Sequence, residues 1–425
     1  MTDTLFTNVR VLDGSGRAPF AGTVRVRGRR IEAVTEGPAL AEPGQAAVID
    51  GGGATLMPGL VEPHAHISFC DTVSLEALGE IPPEEHTLEA MKFARVMLDQ
   101  GFTALFSAAA AKPRLDVVIR NAIEAGDIPG PRMRAASPEL TVTGGLGDIR
   151  RQHLHRDTCT IVCDGADAFR RTAREMIREG VDTVKINPSG DEFMPFARAH
   201  HTVMNEAEIA AVCEVAASRG KTVAAHARSA ESVKLCLKHG VEVIYHATLL
   251  DEEALDLLEA QRGRVFVAPT LGINWVTSTG EAASWGIGRD HPLAVMHGRE
   301  LEKGIESMKA LKARGVRVLP GGDYGFAWTP HGQNAKDLEY FVDMVGMSPM
   351  EALVSATRLG GQIMGRPNEL GQVKAGYLAD LLLVDGDPVA NIRILQDKNR
   401  ILAVMKDGSF HRAPDATPQR NRIAV

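Results

Sequence analysis

Four times in the middle of this chain a helical pattern runs into a glycine and then straight into a short β-branched run, with the breaks at Gly180, Gly220, Gly240 and Gly315. Glycine ends a helix cheaply because it takes the left-handed conformation without steric cost. Apolar, β-rich runs recur at Thr55 to Leu60, Phe102 to Phe106, Met133 to Leu140, Val181 to Ile186, Thr222 to His226, Val241 to His246, Arg264 to Ala268 and Val316 to Leu319. Helical patterns lie between them at Glu85 to Gln100, Ala166 to Glu179, Glu206 to Arg219, Ser229 to His239, Asp251 to Arg262 and Met296 to Arg314. Strands that alternate with helices make a parallel α/β sheet, and eight of them in one stretch predict a (β/α)8 TIM-like barrel over residues 58–367. A doubly wound open sheet is the rival, but no GxGxxG turn follows the first strand.

Both chain ends have a different texture. Residues 1–57 and 368–425 read as short strands punctuated by Gly, Asp and Pro, such as Leu5 to Leu12, Ala379 to Val384 and Ile401 to Lys406. Neither end has enough apolar residues for a core of its own, so the two are expected to pair into one small β-sandwich.

Composition narrows the partners. With 47 Lys and Arg against 54 Asp and Glu the net charge is −7, and no basic run breaks that balance, which argues against nucleic acid or an anionic membrane. No apolar run approaches the roughly 18 residues of a membrane span, and Met1-Thr-Asp-Thr does not open a signal peptide. Five cysteines, an odd and small number, do not make a disulfide framework. Cys159 and Cys163 lack the second pair a zinc clip requires. The expectation is a soluble, cytoplasmic protein acting on a small molecule.

In a (β/α)8 barrel, chemistry gathers at the C-terminal ends of the strands. The first strand runs into Glu62-Pro-His64-Ala-His66, and two histidines at i and i+2 on an extended segment reach the same side. The fourth carries Lys185, the fifth ends at His226, the sixth at His246, and the eighth runs through Gly-Gly to Asp323. Each has an ordinary reading taken alone. A buried histidine is usually satisfied within a core, Lys185 could snorkel, and Asp323 could cap a helix. His153-Leu-His155 shows that His-x-His also arises in loops. The coincidence of all six at one face is what points to a metal site.

These motifs resemble the metal-dependent amidohydrolase superfamily, in its carboxylated-lysine binuclear branch. The resemblance rests on Met57-Pro-Gly-Leu-Val-Glu-Pro-His-Ala-His66, on Val184-Lys-Ile-Asn187, Ala224-Ala-His-Ala-Arg-Ser229 and Tyr245-His-Ala-Thr248, and on the late Gly371-Gln-Val-Lys-Ala-Gly-Tyr-Leu-Ala-Asp380. It implies two divalent metal ions, zinc first, with cobalt or manganese as alternatives. His64 and His66 resemble ligands of the first ion, and His226 and His246 ligands of the second. Lys185 resembles the lysine that is carboxylated and bridges both ions, and Asp323 the catalytic aspartate that binds the first ion and shuttles the proton. Two ions about 3.5–4 Å apart lower the pKa of a bridging water towards 7 and polarise the substrate carbonyl. Asp323 then serves as general base and general acid, because an amide anion leaves poorly without a proton. One-metal deaminases of the superfamily usually lack the lysine. The resemblance also implies a homo-oligomer.

Within that superfamily the chain is similar to imidazolonepropionase-like proteins, a branch with Xaa-Pro and Xaa-Arg dipeptidases, ochratoxin-type amidases, and molinate and phenylurea hydrolases. Dipeptidase-like members usually have Thr-Gly-Gly-His after the third strand, with the histidine near the substrate carbonyl. This chain has Thr143-Gly-Gly-Leu146. The expected substrate is therefore a small neutral or aromatic amide, urea or carbamate. A Xaa-Pro or Xaa-Arg dipeptidase, or an N-acyl amino acid amidase, is the alternative, ahead of a mononuclear deaminase or a catalytically silent assembly protein. The loops after strands three, four and seven are expected to build the pocket, with His153, His155, Phe193, Phe196, His200, His201, Asn274, Trp275 and Trp285 among their residues. The candidate substrate contacts are Leu146, His201, Arg228, Tyr245 and Trp275. Arg228 suits either a substrate carboxylate or an internal acid.

Overall fold

A computed structural model describes residues 3–37, 43–154 and 156–414; His155 lies outside the described residues. Two compact units divide the chain. One comprises residues 1–61, 97–104 and 348–425, the other residues 62–96 and 105–347.

The first unit holds a mixed sheet of eight strands drawn from both chain ends. Ser409–Arg412, Ile401–Lys406, Leu381–Val384, Thr55–Pro58, Thr4–Val11, Phe20–Arg27 and Arg30–Glu36 lie side by side in that order, and Ala47–Asp50 also pairs with Thr4–Val11. Phe6, Val11, Val24, Leu56, Leu381, Leu383 and Met405 form part of its core. Thr55–Pro58 is antiparallel to Leu381–Val384, with Leu381 opposite Pro58.

That pairing corrects one expectation. Thr55 to Leu60 is not the first strand of the parallel series: its first residues belong to the end sheet, and the series starts at Leu60. The break is Gly59, where the chain passes so close to Thr103 that an added Cβ would lie 2.0 Å from Oγ1.

The parallel strands are numbered here from that point. They are β1 (Leu60–Ala65), β2 (Phe102–Ser107), β3 (Ala136–Thr141), β4 (Thr183–Ile186), β5 (Thr222–Ser229), β6 (Val243–Leu249), β7 (Phe266–Ala268) and β8 (Arg317–Val318). They hydrogen-bond as two ladders. One runs β1, β2, Arg132–Arg134; the other runs Thr160–Val162, then β3 to β8 in order. Strands β1 to β6 are buried almost throughout, as parallel strands covered on both faces must be.

Helices separate the strands much as their patterns predict: Pro83–Asp99, Ala166–Arg178, Glu206–Ser218, Ala230–Lys238, Glu252–Ala260 and Pro292–Ala313. Asn205 and Glu208 close a reciprocal capping box at one helix start. The last helix begins four residues before Met296 because His291 caps it and Pro292 takes its first turn. All four of the helix-ending glycines have positive φ, from 61° at Gly220 to 100° at Gly180. No helix among the described residues is long and apolar enough to cross a membrane.

Candidate metal centre

His64 on β1, His66 just after it, Lys185 on β4, His226 on β5, His246 on β6 and Asp323 after β8 all line one cavity of about 240 Å3. Strand ends bring them there, so residues up to 259 positions apart in sequence (323 − 64) meet. The His226 and His246 rings are 4.0 Å apart between centroids, and His64 and His66 are 5.1 Å apart. One ligating atom each from His64, His246 and Asp323 falls within 4.8 Å of the other two.

Neighbouring groups orient the rings. The Thr270 hydroxyl donates to the Pro269 carbonyl at 2.6 Å, so it accepts from His246 Nδ1–H, also at 2.6 Å. That leaves His246 Nε2 as a bare lone pair, and this buried atom has no hydrogen-bond partner. His66 Nδ1 donates to the Ala109 carbonyl at 3.2 Å, leaving its Nε2 lone pair 3.2 Å from Asp323 Oδ1. His64 Nε2 lies 3.6 Å from the same oxygen. The His66 lone pair and the carboxylate repel unless a cation or proton sits between them. Imidazole nitrogens with a carboxylate, the His66, His226 and His246 rings each hydrogen-bonded to an outer partner, are the donor set of zinc, cobalt or manganese, so these residues fit a divalent ion.

Electrostatics agree. Burial pushes His64 and His246 well below the usual histidine range, and burial with the Arg228 charge takes His226 to about 4. Neutral imidazole is the form that binds metal. Burial alone would raise Asp323, but the adjoining His64 and His66 side chains and the Lys185 charge hold it well below the usual carboxylate range. His246 at φ 73° and Asp323 at φ 62° are both left-handed, which costs non-glycine residues of order 1–3 kcal/mol and is tolerated where the surroundings fix the geometry.

The other predicted residues separate into two groups. Leu146 lines the cavity, packed with Met194 and Ala197. Arg228 also lines it, but its guanidinium is fully buried against Asp191 (Nη2 to Oδ2, 2.6 Å) and Glu300. Tyr245 does not line it: its ring stacks 3.9 Å from His64, and its hydroxyl donates to the Pro63 carbonyl at 3.0 Å. Trp275 sits on a helix, packs on Tyr340 and donates to Glu281 at 3.0 Å. His201 is exposed and accepts from the Arg198 backbone N–H at 3.2 Å.

Sequence reasoning named Phe193 but missed the rest of the aromatic wall and the acids Glu76, Glu139 and Asp191. Phe69 follows β1, while Phe326 and Trp328 follow β8, and all three line the cavity together with Phe193. Phe326 and Trp328 stack at 5.2 Å with planes 14° apart. The aromatic residues clustered around Asp323 were the signal available. Asp191 and Glu139 line the cavity too; Glu139 was legible as a charge inside an otherwise uncharged strand.

Parallel strands whose C-terminal ends converge on buried imidazoles and a carboxylate define a class, that of α/β proteins able to hold a catalytic divalent ion at the strand rim. The chain belongs to the amidohydrolase family, whose profile matches residues 55–410. It is similar to ochratoxinase of Aspergillus niger, 25% identical over 386 residues that cover 85% of this chain and 77% of that protein. Imidazolonepropionase of Rubrobacter xylanophilus is 26% identical over 377 residues, 85% of this chain and 83% of that one. A crystal structure of a prolidase complexed with N-methylphosphonate-L-proline has a TM-score of 0.86 at 27% identity, covering 97% of this chain and 100% of the other. Hydrolase chemistry and metal binding are typical of the family.

Proposed function

We propose that this protein is a metal-dependent hydrolase of a non-peptide C–N bond in a small neutral amide, urea or carbamate, its two ladders completing one (β/α)8 barrel and its end sheet a β-sandwich. The observation that carries the substrate class is the charge around the cavity. Lys185 and Arg228 are the lysine and arginine lining it, and both are already engaged, with Glu139 in one case and with Asp191 and Glu300 in the other. Among the described residues, a substrate carboxylate would find no free cationic side chain there, whereas Phe69, Phe193, Phe326, Trp328, Leu146 and Ile273 offer an apolar, aromatic surface.

His64, His66, His226, His246 and Asp323 would hold two divalent ions. When bound, such a pair supplies Lewis acidity towards a carbonyl oxygen and acidifies a coordinated water. The bridging carboxylate would come from carboxylated Lys185, which the family resemblance implies. Asp323, held ionised, takes a proton from the attacking water at its carboxylate and returns it to the leaving nitrogen. Apolar side chains around the cavity exclude bulk water and strengthen each polar contact inside it.

A Xaa-Pro dipeptidase or N-acyl amino acid amidase is the second reading, supported by the likeness to a prolidase structure. Metal-loaded protein screened on anilides, ureas, carbamates, dipeptides and N-acyl amino acids separates the two. The neutral substrates are expected to give the highest kcat/KM, by about tenfold or more. A dipeptide at the head of the ranking would overturn the proposal.

A further inference from the structure

Phe69 sits in the loop after β1, and Phe326 and Trp328 in the loop after β8; the two loops are fastened to each other. Just past Phe69 the chain turns through Cys70 (φ 55°) and Asp71 (φ 50°), both left-handed, a conformation that non-glycine residues hold where surrounding contacts fix it. The turn aims the Asp71 carboxylate at the second loop. Its Oδ1 accepts from the His331 backbone N–H at 2.9 Å and from His331 Nδ1–H at 2.6 Å. The His331 side chain is buried, with the Phe93 ring 4.6 Å away.

Backbone bonds complete the join. Thr72 N–H donates to the Gly325 carbonyl at 3.2 Å, and Ala327 N–H to the Thr72 carbonyl at 2.8 Å. Gly325 N–H donates to the Thr329 carbonyl and Thr329 N–H to the Phe326 carbonyl, both at 2.9 Å, so residues 325–329 form a tight turn that presents Phe326 and Trp328. Gly325 is needed where the loops cross: its φ is 139°, and a Cβ there would lie 2.9 Å from the Phe69 Cβ. Trp328 Nε1 is buried without a hydrogen-bond partner, so the turn and the stacking on Phe326 place this ring, not a polar contact of its own.

Resting on the aromatic-substrate reading of this cavity, we propose that Asp71 and His331 are positioning residues for substrate selection. Their hydrogen-bonded pair latches the β8 loop to the β1 loop and so sets the aromatic wall against which a substrate ring packs. Neither side chain lines the cavity, so both act through Phe326 and Trp328. One carboxylate oxygen holds two donors of the same residue, which fixes the His331 ring and its backbone together. Without the pair, the Thr72 backbone bonds are left to hold the loops, and the wall loosens while the metal ligands stay in place.

The test uses the full chain loaded with zinc. Asp71→Ala should raise KM for an anilide about tenfold with kcat within about twofold of the parent, the mark of lost ground-state binding. Both constants for a short alkyl amide, and the zinc content, should stay near the parent's. Asp71→Asn keeps an oxygen that accepts from both donors and should return KM to within about threefold of the parent. His331→Phe keeps the packing on Phe93 and removes only the Nδ1–H bond; it should shift KM as Asp71→Ala does, and it carries the test if that variant does not fold. A second readout needs no substrate. The chain has three tryptophans, so with Trp275→Phe and Trp285→Phe in place Trp328 alone fluoresces. Adding Asp71→Ala or His331→Phe should raise its quenching by acrylamide about twofold. Unchanged quenching, equal KM changes for anilide and alkyl amide, or lost zinc would overturn the latch. If quenching rises but the parent turns over no amide, urea or carbamate, the substrate reading fails while the latch itself stands.

Discussion

Arg228 Nη2 lies 2.6 Å from Asp191 Oδ2, with both side chains inside the cavity wall and a second carboxylate, Glu300, on the same guanidinium. One buried cation between two acids leaves a net negative group behind His226, and the Glu300 carboxylate is further tied by the Thr248 hydroxyl at 2.7 Å. The arrangement is structural support for the strand end that carries His226.

Removing the cation should therefore destabilise more than removing a single acid. Arg228→Met strands two buried carboxylates and is expected to cost about 3–5 kcal/mol, read from urea unfolding. Replacing both acids in the same chain, Asp191→Asn with Glu300→Gln, should recover part of the loss. An Arg228→Met protein as stable as the parent would refute the buried triad.

Metal should stabilise as well as activate. Because His246 Nε2 is buried without a partner, binding an ion satisfies an atom that otherwise goes unpaired. Chelation should lower Tm by about 5 °C or more and abolish hydrolysis, and zinc, cobalt or manganese should restore both. His246→Ala should show neither the chelator-sensitive Tm nor the full metal content of the parent.

The aromatic wall makes a claim about specificity. Phe326 stacks on Trp328 and meets Phe69 edge-on at 5.6 Å. Phe326→Ala should raise KM for aryl amides or anilides by about tenfold, roughly 1.4 kcal/mol. For short alkyl amides the same change should stay within about twofold. Equal effects on both series would show that the wall only packs.

A pH effect on stability should come from Asp116, which is fully buried, hydrogen-bonded by the Ser107 hydroxyl and raised to about 6 chiefly by burial. The folded chain then holds a proton that the unfolded chain releases near pH 4. The unfolded state binds fewer protons across that window, so this group's contribution falls as pH rises from about 4 to about 6 and is flat above. Asp116→Asn keeps the acceptor and removes the charge. Its stability relative to the parent should rise across that window, by on the order of 2 kcal/mol in denaturant melts. A pH-independent difference would show that Asp116 ionises normally.

The sequence by itself determined the parallel α/β series, the helix stops and the candidate ligand set. Those features are local: a 3.6-residue period, a glycine at a helix end and a polar residue at a strand end leave their mark within a few positions. His64, His66, His226, His246 and Asp323 were legible for that reason. Tertiary structure alone decided which charges cancel and which rings form the wall. Arg228 is engaged because Glu300 arrives from a helix 72 positions later, and Glu139 reaches Lys185 because a bulge shifts one strand against another. Trp275 and Trp285 carry the same chemistry as Trp328, yet Trp275 packs on Tyr340, Trp285 is exposed and Trp328 lines the cavity. Residue type sets what a side chain can do, but its partners across the fold set whether it is free to do it.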